Sequence, residues 1–389
     1  MNELTVVHGM DRWLPTTMNW AYEQIIALPP CITSQVVATG FENLDSFPFE
    51  HLHLYSDIEA IPRFFDKVRC RLFGRGAQPQ LTRIIEQSGA GIVHSHFGNT
   101  GWRNLPAVRK AGVKHVASFY GYDLSQLPHS DRKWRDRYRE LFDSVDRVLC
   151  LGKHTRNELL SLDCPSEKTV IHHLGADLDK FYFEPRTWAS GSTLRILVCG
   201  TFREKKGIPD AIRATGLLRK SLDVELTVIG GATAEDRSKH EEAEIFRAVE
   251  ESGMQAHVRF LGFQPLEVLW KEAYAHHIFL TPSVRASDGD AEGTPVTTIE
   301  MAATGMPIVS TQHSDIPEII IDGETGWLVA ERDPAALAER IHWLANNLDA
   351  WEGFATAGRR YIEAHFNSKT QAKALESIYR EVAHQEENS

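Results

Sequence analysis

Short runs of β-branched and aromatic residues alternate along the whole chain with longer segments whose apolar residues recur every three to four positions. In the first half the runs are Ser34–Ala38, His51–Tyr55, Gly91–His94, Lys114–Phe119, Asp146–Cys150 and Thr169–His172. Helical patterns lie between them near 18–28, 58–73, 79–88, 101–111, 131–143 and 153–162. The pattern restarts at Leu194–Cys199, a near-continuous apolar run typical of a strand buried on both faces. It continues through Glu225–Ile229, His257–Leu261, Ile278–Thr281, Pro307–Ser310 and Trp327–Val329, with helices between. Such alternation predicts an α/β protein with doubly wound parallel sheets. The segment Glu184–Thr193 (EPRTWASGST) breaks both periods and reads as a linker between domains at 1–183 and 194–366. Residues 367–389 read as one amphipathic helix, Ser368–His384, able to cross back to the first domain, and a polar tail. Ligands of such sheets bind beyond the carboxyl ends of the strands, so the chemistry is expected in a cleft between the two domains.

Composition narrows the class. The 389 residues are 42% hydrophobic and 24% charged, an ordinary globular balance, and the length suits two domains. No stretch approaches the ~18–20 apolar residues of a membrane-spanning helix. The start, MNELTVVHGMDRW, lacks the basic and apolar regions of a secretory signal. The five cysteines (Cys31, Cys70, Cys150, Cys164, Cys199) are widely spaced without a CxxC, which points to a reducing cytosol rather than a disulfide or zinc framework. A net charge of −11 leaves no footprint for nucleic acid. The charge is uneven: residues 1–190 are balanced, and the second half carries the whole excess. Basic residues cluster at Arg63–Arg75 and Arg132–Arg139, and the first cluster interleaves Phe64, Phe65, Leu72 and Phe73 with five cations. Such a helix can lie on anionic lipid headgroups. It can equally pack one face on its own domain, its basic chains reaching into water.

Residues 280–329 carry the chemistry. A strand ends near Pro282, then a small-residue acidic loop leads to Glu292-Gly293-Thr294-Pro295 and an apolar-periodic helix from Val296 to Thr304, stopped by Gly305. Thr294 is expected as N-cap and Pro295 in the first turn. Gly293 allows close approach of a ligand to the backbone. The N–H groups around Thr294, Val296 and Thr297 then form a phosphate site at a helix N-terminus. A phosphate has no use for the two carboxylates that frame it, Glu292 and Glu300, whereas sugar or ribose hydroxyls do. Each Glu alone could be a first-turn or solvated residue; the eight-residue spacing across a capped helix favours the ligand role.

This segment resembles the retaining family-4 glycosyltransferases, with their E-x7-E, A-x-G-x-P-[IV]-[IV]-[AS]-[TS] and D-G-x-T-G-x-L-V elements. The match runs through Glu292, Gly293, Pro295, Glu300, Gly305, Pro307, Pro317, Glu318, Asp322, Gly323, Gly326 and Val329. The longer form PSV-x-A-x-DGDAEG-x-P is similar to the branch that builds colanic acid and related exopolysaccharides. Gly200-Thr201-Phe-Arg-Glu-Lys-Lys-Gly207 resembles the family turn whose Arg and Lys hold the donor diphosphate. Lys206 falls on the Lys, while Thr201 stands at the Arg; Arg203, two residues on, faces the same side if the chain is extended. His173–Asp177 with Phe181 resembles a family element at the domain boundary. Val93–Gly98 and Ser118–Asp123 resemble H-x-H-F-G and T-F-H-G-x-D, with Tyr120 where the family has His. Leu14–Tyr22 occupies the place of the acceptor loop, where Thr16 and Thr17 are either acceptor contacts or helix caps.

The resemblance implies a GT-B fold of two Rossmann-like domains, acceptor on the first and nucleotide-sugar on the second. It implies hexosyl transfer with retention to a saccharide acceptor, a lipid-linked exopolysaccharide intermediate at the inner face of the cytoplasmic membrane. Glu300 would hold the donor ribose and Glu292 the transferred sugar. Lys206, Arg203, Gly200, Thr201 and the segment Gly293–Thr297 would surround the diphosphate. Thr16, Thr17, His96, Tyr120 and Asp123 would meet the acceptor. A UDP-sugar is expected over a GDP-sugar, with no obligatory cofactor or metal. Asp288-Gly-Asp290 is not read as a metal site, and His94, His96, His172, His173, His276 and His277 are read as hydrogen-bonding residues. A nucleotide-sugar-binding protein without efficient transfer, or a transferase for a soluble acceptor, are the alternatives.

Overall fold

The computed structural model of the chain describes residues 3–384, except for the side chain of Thr16. It separates into two compact units, residues 1–175 with 368–389, and residues 176–367. The first unit holds a seven-stranded parallel sheet. Its strands are β1 (Leu4–Trp13), β2 (Ile32–Phe41), β3 (Leu52–Leu54), β4 (Ile92–His96), β5 (Lys114–Ser118), β6 (Arg147–Cys150) and β7 (Thr169–Ile171), in the order β3-β2-β1-β4-β5-β6-β7. The central strand is one that the apolar pattern passes over. In β1, His8, Gly9, Asp11 and Arg12 interrupt the hydrophobic run. Parallel pairing with both β2 and β4 nevertheless buries the strand from Val6 to Met10.

Each face of this sheet has its own cover. Val7, Val37 and Val93 pack under the helices Pro79–Ser88 and Gly98–Ala111. On the other face Val6, Ile92, Val116 and Leu149 pack against Ala372, Leu375, Tyr379 and Val382 of the helix Ser368–His384, so the end of the chain completes the first unit. A further helix, Tyr122–Ser130, lies where no periodicity marks it. The basic helix Ala60–Phe73 does not pack its apolar side chains: Ile61, Phe64, Phe65, Leu72 and Phe73 are each 62–70% exposed, and its one buried residue is Asp66. Among the described residues no helix is long and apolar enough to cross a membrane.

The second unit holds a six-stranded parallel sheet of β8 (Leu194–Cys199), β9 (Val224–Ile229), β10 (Val258–Gly262), β11 (Ile278–Thr281), β12 (Ile308–Thr311) and β13 (Trp327–Val329), ordered β10-β9-β8-β11-β12-β13. All its strand pairs are parallel. The doubly wound architecture expected from the alternation is therefore present twice. The segment 184–193, expected as a linker, belongs to this unit instead. Arg186 is buried, donating to the carbonyls of Ala273 and His276 and to Thr304 Oγ1, and Trp188 joins the core. Pro, Gly and Ser mark irregular backbone there, and an Arg whose donors meet carbonyls and a hydroxyl can be buried in such a stretch. The chain passes between units at Gly175 and Ala176 and again at Asn367 and Ser368.

Leu375 is fully buried against the first sheet. Leu375→Ala should lower stability by about 2–5 kcal/mol, read as a shifted urea midpoint. A change below about 0.5 kcal/mol, the range of surface substitutions, would show that the helix does not seal that face.

Candidate active site

In the second unit the acidic loop after β11 returns to the turn after β8. That turn is a single 3₁₀ turn, Glu204–Lys206. Glu292 is 7% exposed, and its Oε1 lies 3.0 Å from Lys206 Nζ and 3.8 Å from Lys205 Nζ. Burial alone would raise its pKa, but the Lys206 and Lys205 charges prevail and hold the carboxyl at about 2. Burial pulls Lys205 down while Glu292 and Asp290 push it up, with a net upward shift. The stem of Lys206 crosses Gly200, where an added Cβ would sit 3.0 Å from Lys206 Cδ. At Gly207, in the left-handed region, a Cβ would fall 1.9 Å from the carbonyl oxygen of Pro282, so this turn can meet the loop only with glycine there.

The backbone at Glu292 is held by a residue that sequence reasoning missed. The Glu292 N–H donates to His313 Nε2 at 3.1 Å, and His313 Nδ1 lies 2.6 Å from Glu331 Oε1. The two contacts define a neutral tautomer with its proton on Nδ1. Burial lowers the His313 pKa, opposed by Glu331. The helix that follows is Val296–Ala303; its N-cap is Pro295, not Thr294, because the extended backbone continues through Pro295 and no side chain caps the end. Gly293, Thr294 and Pro295 are buried, while Val296 and Thr297 are partly exposed at the first turn, where helix N–H groups lack intrahelical partners. Glu300 is buried on the same helix. Cys199, at the end of β8, feels both sides of the site: burial and Glu300 raise its thiol pKa to about 12, against Lys206.

Arg203 has an extended backbone, and its Nη2 pairs with Glu235 Oε1 at 2.6 Å. The cation that joins Lys206 at Glu292 is Lys205, because the 3₁₀ turn after Arg203 ends the alternation of an extended chain. Ion pairs continue outward from Lys205 to Asp290 (3.0 Å), from Asp290 to Arg237 (3.6 Å), and from Arg237 to Asp288 (3.1 Å) and Glu235 (3.0 Å). Both acids of the D-x-D are thus held by cations. Only the doubled lysine in REKKG signals this arrangement in the sequence; nothing there singles out His313, Glu331 or Glu235.

In the first unit His96 and Tyr120 come together, His96 Nδ1 lying 2.7 Å from the Tyr120 hydroxyl and His96 Nε2 3.1 Å from His8 Nδ1. His94 bonds the hydroxyls of Tyr379 at 2.6 Å and Ser118 at 2.7 Å. The three imidazoles, with ring nitrogens within 4.8 Å of one another, engage these neighbours, and the His94 and His96 rings stack at 4.4 Å rather than converging edge-on. Burial keeps all three neutral, His96 with a pKa of about 3. Tyr120 lies 4.3 Å from the Trp20 ring. Asp123 is fully buried and accepts from the backbone N–H groups of Gly98, Tyr120 and Gly121, tying together the loops after β4 and β5. Burial raises its pKa to about 6 against those N–H groups. Thr17 is exposed in a 3₁₀ turn, and no side chain caps the helix Asn19–Ile26, so Thr17 is not the helix cap. The side chain of Thr16 lies outside the described residues.

Comparison with known proteins places this geometry. Residues 185–361 match the family "Glycosyl transferases group 1", and residues 35–180 match "Glycosyltransferase Family 4". The chain is 32% identical over 297 residues to amylovoran biosynthesis glycosyltransferase AmsK of Erwinia amylovora, covering 76% of this chain and 71% of that protein. It is 30% identical to the putative colanic acid biosynthesis glycosyltransferase WcaL of Salmonella typhimurium, covering 74% and 70%. A GDP-mannose-dependent alpha-(1-6)-phosphatidylinositol monomannoside mannosyltransferase of Mycolicibacterium smegmatis is 26% identical, covering 70% and 72%. Among solved structures, Anabaena HepE in complex with UDP superposes with a TM-score of 0.77 over 97% of this chain and 100% of that one, at 12% identity. The fold is GT-B.

Glu292 has a lowered folded pKa, so the stability it contributes is complete above about 4.5 and is lost as pH falls toward about 2. Glu292→Gln should cost about 3 kcal/mol at pH 7, with the gap to wild type narrowing below pH 4.5 in urea titrations. An unchanged gap at pH 3.5 would show that the carboxylate carries no charge against the lysines.

Proposed function

Because the chain belongs to the group 1 glycosyl transferases, we propose that it is a retaining hexosyltransferase that moves a sugar from a nucleoside-diphosphate donor to a hydroxyl of a saccharide acceptor in exopolysaccharide synthesis. The observation that carries the reading is Glu292 paired with Lys206 and Lys205 beside the start of the helix that bears Glu300. In this reading the diphosphate takes over the two ammonium groups and the N–H groups of Val296 and Thr297, beside Gly200, Thr201, Gly293, Thr294 and Pro295. Glu292, released, accepts from hydroxyls of the transferred sugar. Glu300 accepts from the ribose diol. Charge growing on the leaving diphosphate meets fixed cations and dipoles, the arrangement by which such sites lower barriers. Those cations supply the neutralisation, so the reaction is proposed to need no metal. Arg203 orients the outer end of the ion-pair chain through Glu235.

The donor proposed is a UDP-hexose, with GDP-mannose, the donor of the mycobacterial relative, as the competing outcome. Thr17, His96 and Tyr120 lie on the acceptor side. The acceptor is proposed to be lipid-linked and met at the inner face of the cytoplasmic membrane. Supporting this is the helix Ala60–Phe73, whose Phe64, Phe65, Leu72 and Phe73 stand exposed among Arg63, Lys67, Arg69 and Arg71, the composition of an interfacial helix.

Melting in the presence of UDP, GDP and ADP should show a shift with one nucleotide, unaltered by EDTA; at ~100 times its Kd a ligand stabilises by about 2.7 kcal/mol. Glu300→Gln should weaken that nucleotide by about 1.5–3 kcal/mol. No shift with any nucleotide would sink the reading. Separately, reversing Arg63, Lys67, Arg69 and Arg71 to Glu should abolish sedimentation with phosphatidylglycerol vesicles, and a wild-type protein that does not sediment with them would remove the membrane role.

A further inference from the structure

The acidic loop of the second unit is tied at both ends to one carboxylate. At its start the Arg285 N–H donates to Glu331 Oε2 at 2.8 Å. At its end the Glu292 N–H donates to His313 Nε2 at 3.1 Å, and His313 Nδ1 meets Glu331 Oε1 at 2.6 Å. Residues 285 and 292 thus close a ring of contacts through the His313 imidazole, with Glu331 accepting on both oxygens. Between them the Ser287 N–H and hydroxyl both donate to Glu204 Oε2, and the Ala286 N–H donates to the Asp290 carbonyl at 2.9 Å. A loop outside any strand ladder has to find such acceptors elsewhere, since a buried N–H left unpaired is costly.

His313 reaches the loop from the end of β12, which follows the chain leaving β11. The Ser310 hydroxyl donates to the Thr281 carbonyl at 2.6 Å, and the Thr311 hydroxyl donates to the Ser283 carbonyl. The His313 N–H then folds back onto the Thr311 carbonyl at 2.8 Å, and Ser314 follows at φ 47°, a conformation that costs a residue with a Cβ. The imidazole itself is 2% exposed. Its two contacts require one tautomer: Nε2 bare to accept from Glu292, and Nδ1 carrying the proton that Glu331 accepts. The Glu292 side chain is therefore held at two ends, its carboxylate by Lys206 and Lys205 and its backbone by His313. In the reading above, a diphosphate takes over the lysines. The backbone contact is then the one that stays, and it fixes where the freed carboxylate stands.

We propose that His313 is a positioning residue for the transferred sugar: it keeps Glu292 in place once the lysines have turned to the diphosphate, while Glu331 fixes the tautomer and joins the two ends of the loop. The proposal rests on the transferase reading above and adds the residue that sets the geometry at the sugar end of the site.

Release of nucleotide from UDP-glucose, UDP-galactose and GDP-mannose, with water as acceptor, tests it in His313→Asn and His313→Gln. Both variants exchange the ring for a neutral amide, so a merely structural role would weaken them alike. Gln carries its amide to the place of Nε2 and can offer a carbonyl to the Glu292 N–H; Asn reaches only the place of Nδ1. His313→Asn should lower kcat about 100-fold, the cost of a misplaced contact. Its donor KM and nucleotide melting shift should stay within about twofold of wild type, as for a contact that matters in the transition state. His313→Gln, which forgoes the Glu331 contact alone, should keep kcat within about tenfold of wild type. Long-range nitrogen NMR of the wild type at neutral pH should show His313 with Nδ1 protonated and Nε2 bare, a reading that stands even where a variant fails to fold. Wild-type kcat in His313→Asn, equal losses in the two variants, or the opposite tautomer overturns the proposal even where the nucleotide shift is intact. A wild type with no nucleotide shift and no release from any donor would instead mark failure of the transferase reading.

Discussion

A buried carboxylate that stays charged organises the second unit. Glu292 lies out of water, where an unpaired charge is untenable, and it is ionised only because Lys206 and Lys205 approach it together. Much of the local architecture serves that approach. Gly200 lets the Lys206 stem pass, Gly207 lets the turn close on Pro282, and the neutral His313–Glu331 pair holds the Glu292 backbone. The remaining charges form alternating pairs leading outward to Arg203, so Lys205, Arg237 and Arg203 each have an anion beside them. In the proposed reading, an arriving diphosphate would exchange one anion for another at lysines already in place.

The first unit handles buried polarity in the opposite way. Its carboxyl-edge groups are neutral: His8, His94 and His96 are kept unprotonated by burial and bonded to Tyr120, Ser118 and Tyr379. Tyr379 comes from the last helix, so the far end of the chain supplies both apolar cover and a hydrogen-bond partner to strands near its beginning. Asp123 fixes two loops beside them through backbone N–H groups. Neutral, hydrogen-bonded groups of this kind suit the binding of hydroxyls, and paired charges suit phosphates.

Strand and helix alternation, the two parallel sheets and the helix bearing Glu300 were legible in the sequence, because periodicity is a local property that a few neighbouring residues impose. Glu292, Lys206 and Glu300 were legible too, since a helix start after a strand confines them to one edge of a sheet. Other features depended on which distant segments meet. β1 is central despite its polar residues because two neighbours pair with it. Arg186 and Trp188, within the segment 184–193, are buried because carbonyls of Ala273 and His276 receive Arg186 and Trp188 packs into the core. Lys205 rather than Arg203 faces Glu292, and His313 stands behind it, because a charged side chain takes its partner from whatever the fold brings near. Local sequence thus determined the elements and their order; tertiary structure decided the partners, since desolvation makes pairing obligatory without saying which pair will form.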